Sequence, residues 1–184
     1  MSPRFTKQEL EAARGRLVPD VAAEGLRVLF CGINPGLLSA ATGHHFARSG
    51  NRFWPTLHAS GFTPRRLHPE EEQELLSYGL GITNVVARAT ARADELTREE
   101  FAEGGRQLAE KVSELRPNWL AVLGITAYRA AFDEPVAAVG PQQRLVGGVP
   151  VWLLPNPSGL NAHYTPSALA EEFGKLRMAA SAEE

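Results

Sequence analysis

Apolar and polar positions along this chain follow two periods in turn, which predicts strands that alternate with helices. Short, nearly unbroken apolar runs at residues 27–31, 119–123 and 151–154 are typical of buried strands, and residues 81–86 indicate a further short strand or strand exit. Strands alternating with helices indicate a mainly parallel sheet covered on both faces. We therefore predict an α/β fold: one three-layer αβα domain over residues 25–184, preceded by an N-terminal extension over residues 1–24.

Apolar residues at helical spacing predict helices over residues 6–17, 125–132 and 167–180, and a long helix that starts near residue 98. Capping and turn residues mark several boundaries. These are the capping box at residues 97–100 with Pro117 beyond it, Asn51 before a helix that Gly61 closes, Pro69 before a helical segment, and the turn Gly147-Gly148 before the last strand.

Composition excludes several classes of protein. No apolar run approaches the length of a membrane span, and residues 1–5 lack the apolar core of a signal peptide. The single Cys31 excludes an intrachain disulfide and a cysteine-based zinc site, which favours a reducing cytoplasm. A net charge of −2 gives no general attraction to nucleic acid.

Arginine dominates the basic residues, since lysine occupies only positions 7, 111 and 175. Arginine can grip phosphate in a bidentate manner, although by composition alone a solvated surface is the simpler explanation. Six arginines cluster in the middle of the chain, and acidic residues concentrate elsewhere. The arginines are Arg48, Arg52, Arg65, Arg66, Arg88 and Arg92, and the acidic segments are 70–72 and 183–184.

Two strands run into similar loops, INPGL at residues 33–37 and PNPSGL at residues 155–160. Ligands of α/β sheets bind at the carboxyl ends of the strands, so we expect these loops to share one cleft. Pro35 keeps Asn34 extended, and its amide can hold a water or bind the edge of a heterocycle, although it is no strong base. The alternative is a turn asparagine that serves only its own backbone.

Other side chains near these loops have two interpretations each. His44 and His45 could bind a metal, but such a pair without further ligands more simply packs or faces solvent. Phe46 is either core or a stacking surface for a flat base, and Asn84 is either a turn residue or another binding amide. Asp94 is either a charge near a helix start or the carboxylate nearest to these loops that could take a proton from water.

Five motifs occur in order between Leu26 and the final helix: GINPGL (32–37), GNRFW (50–54), GITN (81–84), GGR (104–106) and NPSGL (156–160). Together they resemble the mismatch-specific uracil/thymine-DNA glycosylase family. The resemblance implies a uracil-DNA glycosylase-like fold and a monomer that flips uracil out of G·U mispairs in double-stranded DNA. It also implies hydrolysis of the N-glycosidic bond for base excision repair, without metal or cofactor.

The resemblance also implies roles for individual residues. Asn34 matches the amide that positions the attacking water, and Asp94 stands where members carry an amide or a carboxylate, so both are catalytic candidates. Ile33, Ser39, His45, Phe46 and Asn84 match residues around the flipped base. The segment inserted into the duplex, with Gly159 and Leu160 filling the hole, corresponds to Asn156, Pro157, Ser158, Gly159, Leu160 and Asn161.

Some features depart from the pattern. Ala162 stands where the bacterial uracil branch commonly carries an arginine, while His45 and Asn84 match the thymine branch. Substrate breadth is therefore open. Two rival hypotheses are a low-turnover protein that binds mismatches or abasic sites, and a small-molecule-binding α/β protein without salt-dependent affinity for DNA.

Overall fold

A five-stranded sheet lies at the centre of the molecule, in a computed structural model that describes residues 4–182. The remaining residues, 1–3 of the predicted extension and the acidic pair 183–184, lie outside the described residues. The strands are β1 (Val28–Gly32), β2 (Leu80–Asn84), β3 (Trp119–Leu123), β4 (Gly140–Pro141) and β5 (Val151–Leu154). Their order is β2-β1-β3-β5-β4, and every neighbouring pair is parallel except β4 with β5.

Helices precede and follow the sheet and connect all consecutive strands except β4 and β5. They are α1 (Lys7–Ala12), α2 (Leu37–Thr42), α3 (Phe53–Ala59), α4 (Arg98–Leu115), α5 (Ile125–Phe132) and α6 (Pro166–Ser181), with 3₁₀ helices at Pro69–Tyr78 and Ala93–Glu95. Within residues 4–182, no helix combines the length and the apolar character needed to cross a bilayer.

Side chains of each strand alternate between two cores, which produces three layers. Phe30 of β1 packs edge-on against Phe53 of α3, and its ring stacks with Phe173 of α6. Its neighbour Leu29 points to the opposite face and joins the core that contains Val112 of α4. The predicted α/β class, with a mainly parallel sheet covered on both faces, is confirmed.

Some boundaries differ from the prediction. The first helix ends at Ala12 rather than residue 17, because Gly15 adopts a left-handed backbone with φ of 80°. The helix α2 was not predicted, since six residues carry too little periodicity. The turn at Gly147-Gly148 does join two residues in an antiparallel bridge, but β5 pairs with β4 rather than with a strand before that turn.

The segment after α1 packs into the domain. Val21 forms an antiparallel bridge with Ile82 of β2, and Ala13 and Val18 are buried. Asp20 accepts a hydrogen bond from Nζ of Lys111 at 2.5 Å, which ties this segment to α4. Residues 13–21 thus help to close the edge of the sheet beside β2.

Candidate active site

The two similar loops meet at the carboxyl edge of the sheet. The chain passes from β1 to β2 on one side and then to β3 on the other, so a crevice forms where the strand order reverses. This cleft has a volume of about 170 Å³. Asn34 after β1 and Asn156 after β5 both line it, as expected from the two strand ends.

Both hydrogens of the Asn34 amide are donated to protein. Its Nδ2 lies 2.8 Å from the carbonyl oxygen of Arg88 and 2.9 Å from Oγ1 of Thr90. That hydroxyl donates its own hydrogen to the carbonyl oxygen of Arg92 at 2.7 Å, so it must accept from Asn34. Since both partners are acceptors, the amide is oriented with Oδ1 away from them, and Oδ1 accepts no hydrogen bond from residues 4–182.

A fixed amide oxygen at the edge of a cleft can accept a hydrogen from a water and orient its lone pair. It cannot act as a strong base, because the amide has no accessible pKa. Such a site suits a reaction in which bond breaking precedes attack by water. Among the described residues that line the cleft there is no carboxylate, whereas Arg48 and Arg92 both line it.

Aromatic and aliphatic side chains bound the space for a flat ligand. Phe46 and Ile33 line the cleft, and Phe46 packs on Phe53 with ring centroids 4.2 Å apart. The backbone of Phe46 has φ of 52°, a strained conformation for a bulky residue and one often found at functional sites. Gly32 leaves room here, because a Cβ on it would lie 2.6 Å from Oδ1 of Asn84.

His45 is buried beside Asn84, with only 2% of it exposed. Its Nε2 lies 2.8 Å from the carbonyl oxygen of Pro19, so Nε2 carries a hydrogen and donates it, while Nδ1 lies on the side of Asn84. Nδ2 of Asn84 lies 3.5 Å from that Nδ1. The neighbouring His44 instead contacts Glu72 at 3.1 Å, so the two histidines diverge. Within residues 4–182 no three metal-ligating side chains are grouped.

The loop at residues 156–161, called the wedge loop after the role that the resemblance implies for it, is braced internally. Oδ1 of Asn156 accepts from the main-chain N of Ser158 at 2.9 Å, and Nδ2 of Asn161 donates to the carbonyl oxygen of Asn156 at 3.0 Å. Asn156, Pro157 and Ser158 line the cleft, whereas the rest of the loop borders adjoining hollows. Leu160 is 78% exposed, so an apolar side chain projects from the loop into solvent.

Asp94 does not reach the cleft, contrary to the expectation that it could take a proton from a water there. It belongs to the 3₁₀ helix Ala93–Glu95, whose Ala93 lines the cleft while the Asp94 side chain turns outward. That side chain is 71% exposed and forms an ion pair with Nε of Arg92 at 3.1 Å. The other predicted base-binding residue, Ser39, is buried and does line the cleft.

Comparison with known proteins agrees with this architecture. The family model of the uracil DNA glycosylase superfamily matches residues 19–177. The chain belongs to the uracil DNA glycosylase superfamily. Membership implies a DNA glycosylase of repair, a hydrolase that acts on DNA.

A similar fold occurs in a candidate uracil DNA glycosylase from Methanosarcina acetivorans, whose structure was solved by NMR in solution. The two chains are 21% identical, with a TM-score of 0.60, and the similarity covers 89% of this chain and 98% of the other. At this identity the likeness supports the shared fold.

The sequence did not identify three residues of this superfamily member as parts of the site. Thr90 orients Asn34, Arg48 lines the cleft, and Arg52 contacts the wedge loop. Thr90 stands in no motif that would single it out. Arg52 does lie in GNRFW, but its partners are carbonyl groups, which leave no trace in a sequence.

Proposed function

We propose that this glycosylase excises uracil from G·U mispairs in double-stranded DNA. The observation that carries the proposal is the fixed amide of Asn34, which lines the same cleft as the wedge loop and whose Oδ1 accepts no hydrogen bond from the described residues. An exposed apolar residue, Leu160, projects from the same loop. The pair of features suits an enzyme that opens a duplex and hydrolyses a bond in the extruded nucleotide.

In the proposed reaction the target nucleotide leaves the stack, which costs least for a mispaired base. Gly159 and Leu160 occupy the space it vacates. The uracil ring enters between Phe46 and Ile33, with its polar edge toward Asn84. The cleft residues thereby hold the glycosidic bond near Oδ1 of Asn34.

The chemical step breaks the bond between C1′ and N1 of uracil, and the electron pair leaves with the base. Oδ1 of Asn34 accepts a hydrogen bond from a water whose oxygen then bonds to the cation-like C1′, and the water's proton passes to solvent or to the departing base. Because bond breaking leads, orientation of the water and stabilisation of the leaving anion carry the rate. The proposal requires no metal or cofactor and treats the protein as a cytoplasmic monomer.

Single-turnover assays on duplexes test this proposal. We expect alkali-labile abasic sites from G·U duplexes, undiminished by EDTA, and Asn34→Ala to lower the rate about 10²- to 10³-fold with little change in DNA affinity. Asn118→Ala, a change of an exposed asparagine away from the cleft, serves as the control. Parallel G·T, U·A and single-stranded substrates define the substrate breadth.

Failure to release base from any uracil substrate would overturn the proposal. Tight binding to abasic duplex with turnover at the background rate would instead favour a mismatch- or abasic-site-binding protein. Two features motivate that second candidate. Ala162 stands where the bacterial uracil branch commonly carries an arginine, and the net charge of the chain is −2. Absence of salt-dependent affinity for DNA would favour a small-molecule-binding protein.

A further inference from the structure

Arg52 makes an unusual set of contacts with the main chain of the wedge loop. Its Nη2 donates to the carbonyl oxygens of Ser158 at 2.9 Å and Asn161 at 3.0 Å, and its Nη1 donates to the carbonyl oxygen of Tyr164 at 2.6 Å. Its main-chain N donates to the carbonyl oxygen of Pro157 at 2.9 Å. One residue therefore grips the loop on both sides of its exposed tip.

No other residue in the described part of the chain supplies such support. Among residues 4–182, the wedge loop's remaining hydrogen bonds are internal or go to the adjacent His163. The tip also lies against the segment that carries Arg52, because a Cβ on Gly159 would be 2.3 Å from the carbonyl oxygen of Gly50. The Nε of Arg52 is buried without a hydrogen-bond partner in the described chain. Because an unpaired buried donor lowers the stability of the fold, this arrangement of Arg52 is not optimal for stability alone.

Residues 51–53, which include Arg52, also contribute to the cleft that is proposed to receive the base. Asn51 lines the cleft, and Phe53 supports Phe46, the proposed stacking surface. Oδ1 of Asn51 accepts from the main-chain N of Phe53 at 2.9 Å, which fixes the chain on both sides of Arg52. The wedge loop and the base cleft are thus mounted on one short stretch of chain.

We propose that Arg52 is a positioning residue that holds the wedge loop ready for insertion before DNA binds. This inference rests on the proposed function, since it assigns the loop to duplex opening. An ordered loop avoids the entropy loss of immobilisation during binding. Arginine suits this role because its planar fork offers several donors in fixed directions, whereas a lysine ammonium is a point charge on a flexible stem.

Hydrogen exchange on the DNA-free protein tests whether Arg52 holds the wedge loop, and it requires no turnover. In Arg52→Lys we expect amide exchange to rise at least about tenfold in residues 156–164, with the strands of the sheet unchanged. Arg129→Lys is the matched control, because the Arg129 guanidinium also donates two hydrogen bonds to a main-chain carbonyl, that of Ala137, which lies outside the wedge loop. A second variant, Gly159→Ala, displaces the loop tip by collision with Gly50 and leaves Arg52 intact.

Fluorescence of 2-aminopurine placed beside a non-hydrolysable uracil analogue in a G·U duplex then reports duplex opening. We expect Arg52→Lys and Gly159→Ala to reduce the fluorescence rise on binding, and Arg129→Lys to match the parent protein. Unchanged loop exchange in Arg52→Lys, or normal duplex opening despite faster exchange, overturns the inference. Failure of the proposed function is distinguishable, because it appears as absence of base release by the parent protein.

Discussion

Arg88 and Glu100 form a two-pronged ion pair, with Nε to Oε1 at 2.8 Å and Nη2 to Oε2 at 3.1 Å. The carbonyl oxygen of Arg88 accepts the side-chain amide of Asn34, and Glu100 closes the capping box of Thr97 at the start of α4. The first turn of α4 therefore anchors the loop that orients Asn34. Stability of the helix start and geometry of the cleft depend on the same carboxylate.

This relationship predicts a pH dependence of stability. The Arg88 guanidinium, together with the main-chain N–H of Thr97, lowers the pKa of Glu100 to about 2 from its ordinary 4.5. A lowered pKa in the folded state means that the ionised group stabilises the fold above about pH 4.5, and that this stabilisation disappears as the pH falls towards about 2.

Glu100→Gln should therefore lower Tm near neutral pH and flatten the fall of Tm over that acidic window. Thermal unfolding followed by circular dichroism at a series of pH values measures the effect. Glu99→Gln changes an exposed carboxylate in the same turn, and we expect its Tm to fall with decreasing pH as steeply as that of the parent protein. If Tm falls equally steeply with decreasing pH in the parent protein and in Glu100→Gln, the ion pair of Arg88 and Glu100 contributes nothing to folding.

Thr90 is predicted to act through Asn34. Thr90→Val keeps the shape of the side chain but removes the hydroxyl that accepts from Nδ2 of Asn34. We expect the single-turnover rate on a G·U duplex to fall about tenfold, since the loss of one hydrogen bond frees the amide. Thr90→Ser retains the hydroxyl and should recover most of the rate. Equal rates for the Val and Ser variants would contradict the prediction.

Asp94 is predicted to be nearly dispensable. Its exposed side chain pairs with Arg92 and does not line the cleft, so Asp94→Ala should change the single-turnover rate less than about twofold. Asn34→Ala, measured in parallel, is expected to be far more damaging. A larger loss in Asp94→Ala would mean that the 3₁₀ helix Ala93–Glu95 rearranges on DNA and that the carboxylate acts as the base.

Arg48 and Arg66 are predicted to contact DNA phosphates. Both are exposed and line a hollow that adjoins the cleft, and neither side chain forms a hydrogen bond or ion pair within residues 4–182. Replacing either with Ala should weaken duplex binding and reduce the slope of log Kd against log salt by about 1. Arg106→Ala is the control, since Arg106 already pairs with Glu103 and Glu110 on α4.

Binding titrations on duplexes with a non-hydrolysable uracil analogue, at several salt concentrations, measure these slopes. An unchanged slope for both variants would place the path of the DNA backbone elsewhere.

The elements that sequence reasoning predicted well are those with a strong pattern of their own. Five apolar residues specify β3, and α5 has the predicted bounds, because burial on one or both faces imposes a period that can be read locally. The short helix α2 and the two-residue strand β4 carry no such period. Their conformations follow from the packing of neighbouring segments.

The sequence by itself determined the α/β class and singled out Asn34, since strand ends and an Asn-Pro-Gly turn are local properties of the chain. Only the tertiary structure decided that Thr90 and the Arg88 carbonyl orient that amide, that Asp94 faces solvent, and that Arg52 grips the wedge loop. Those contacts join residues more than 50 positions apart, and many of their acceptors are backbone carbonyls. Every residue has a backbone carbonyl, so side-chain identity alone does not specify which one is used.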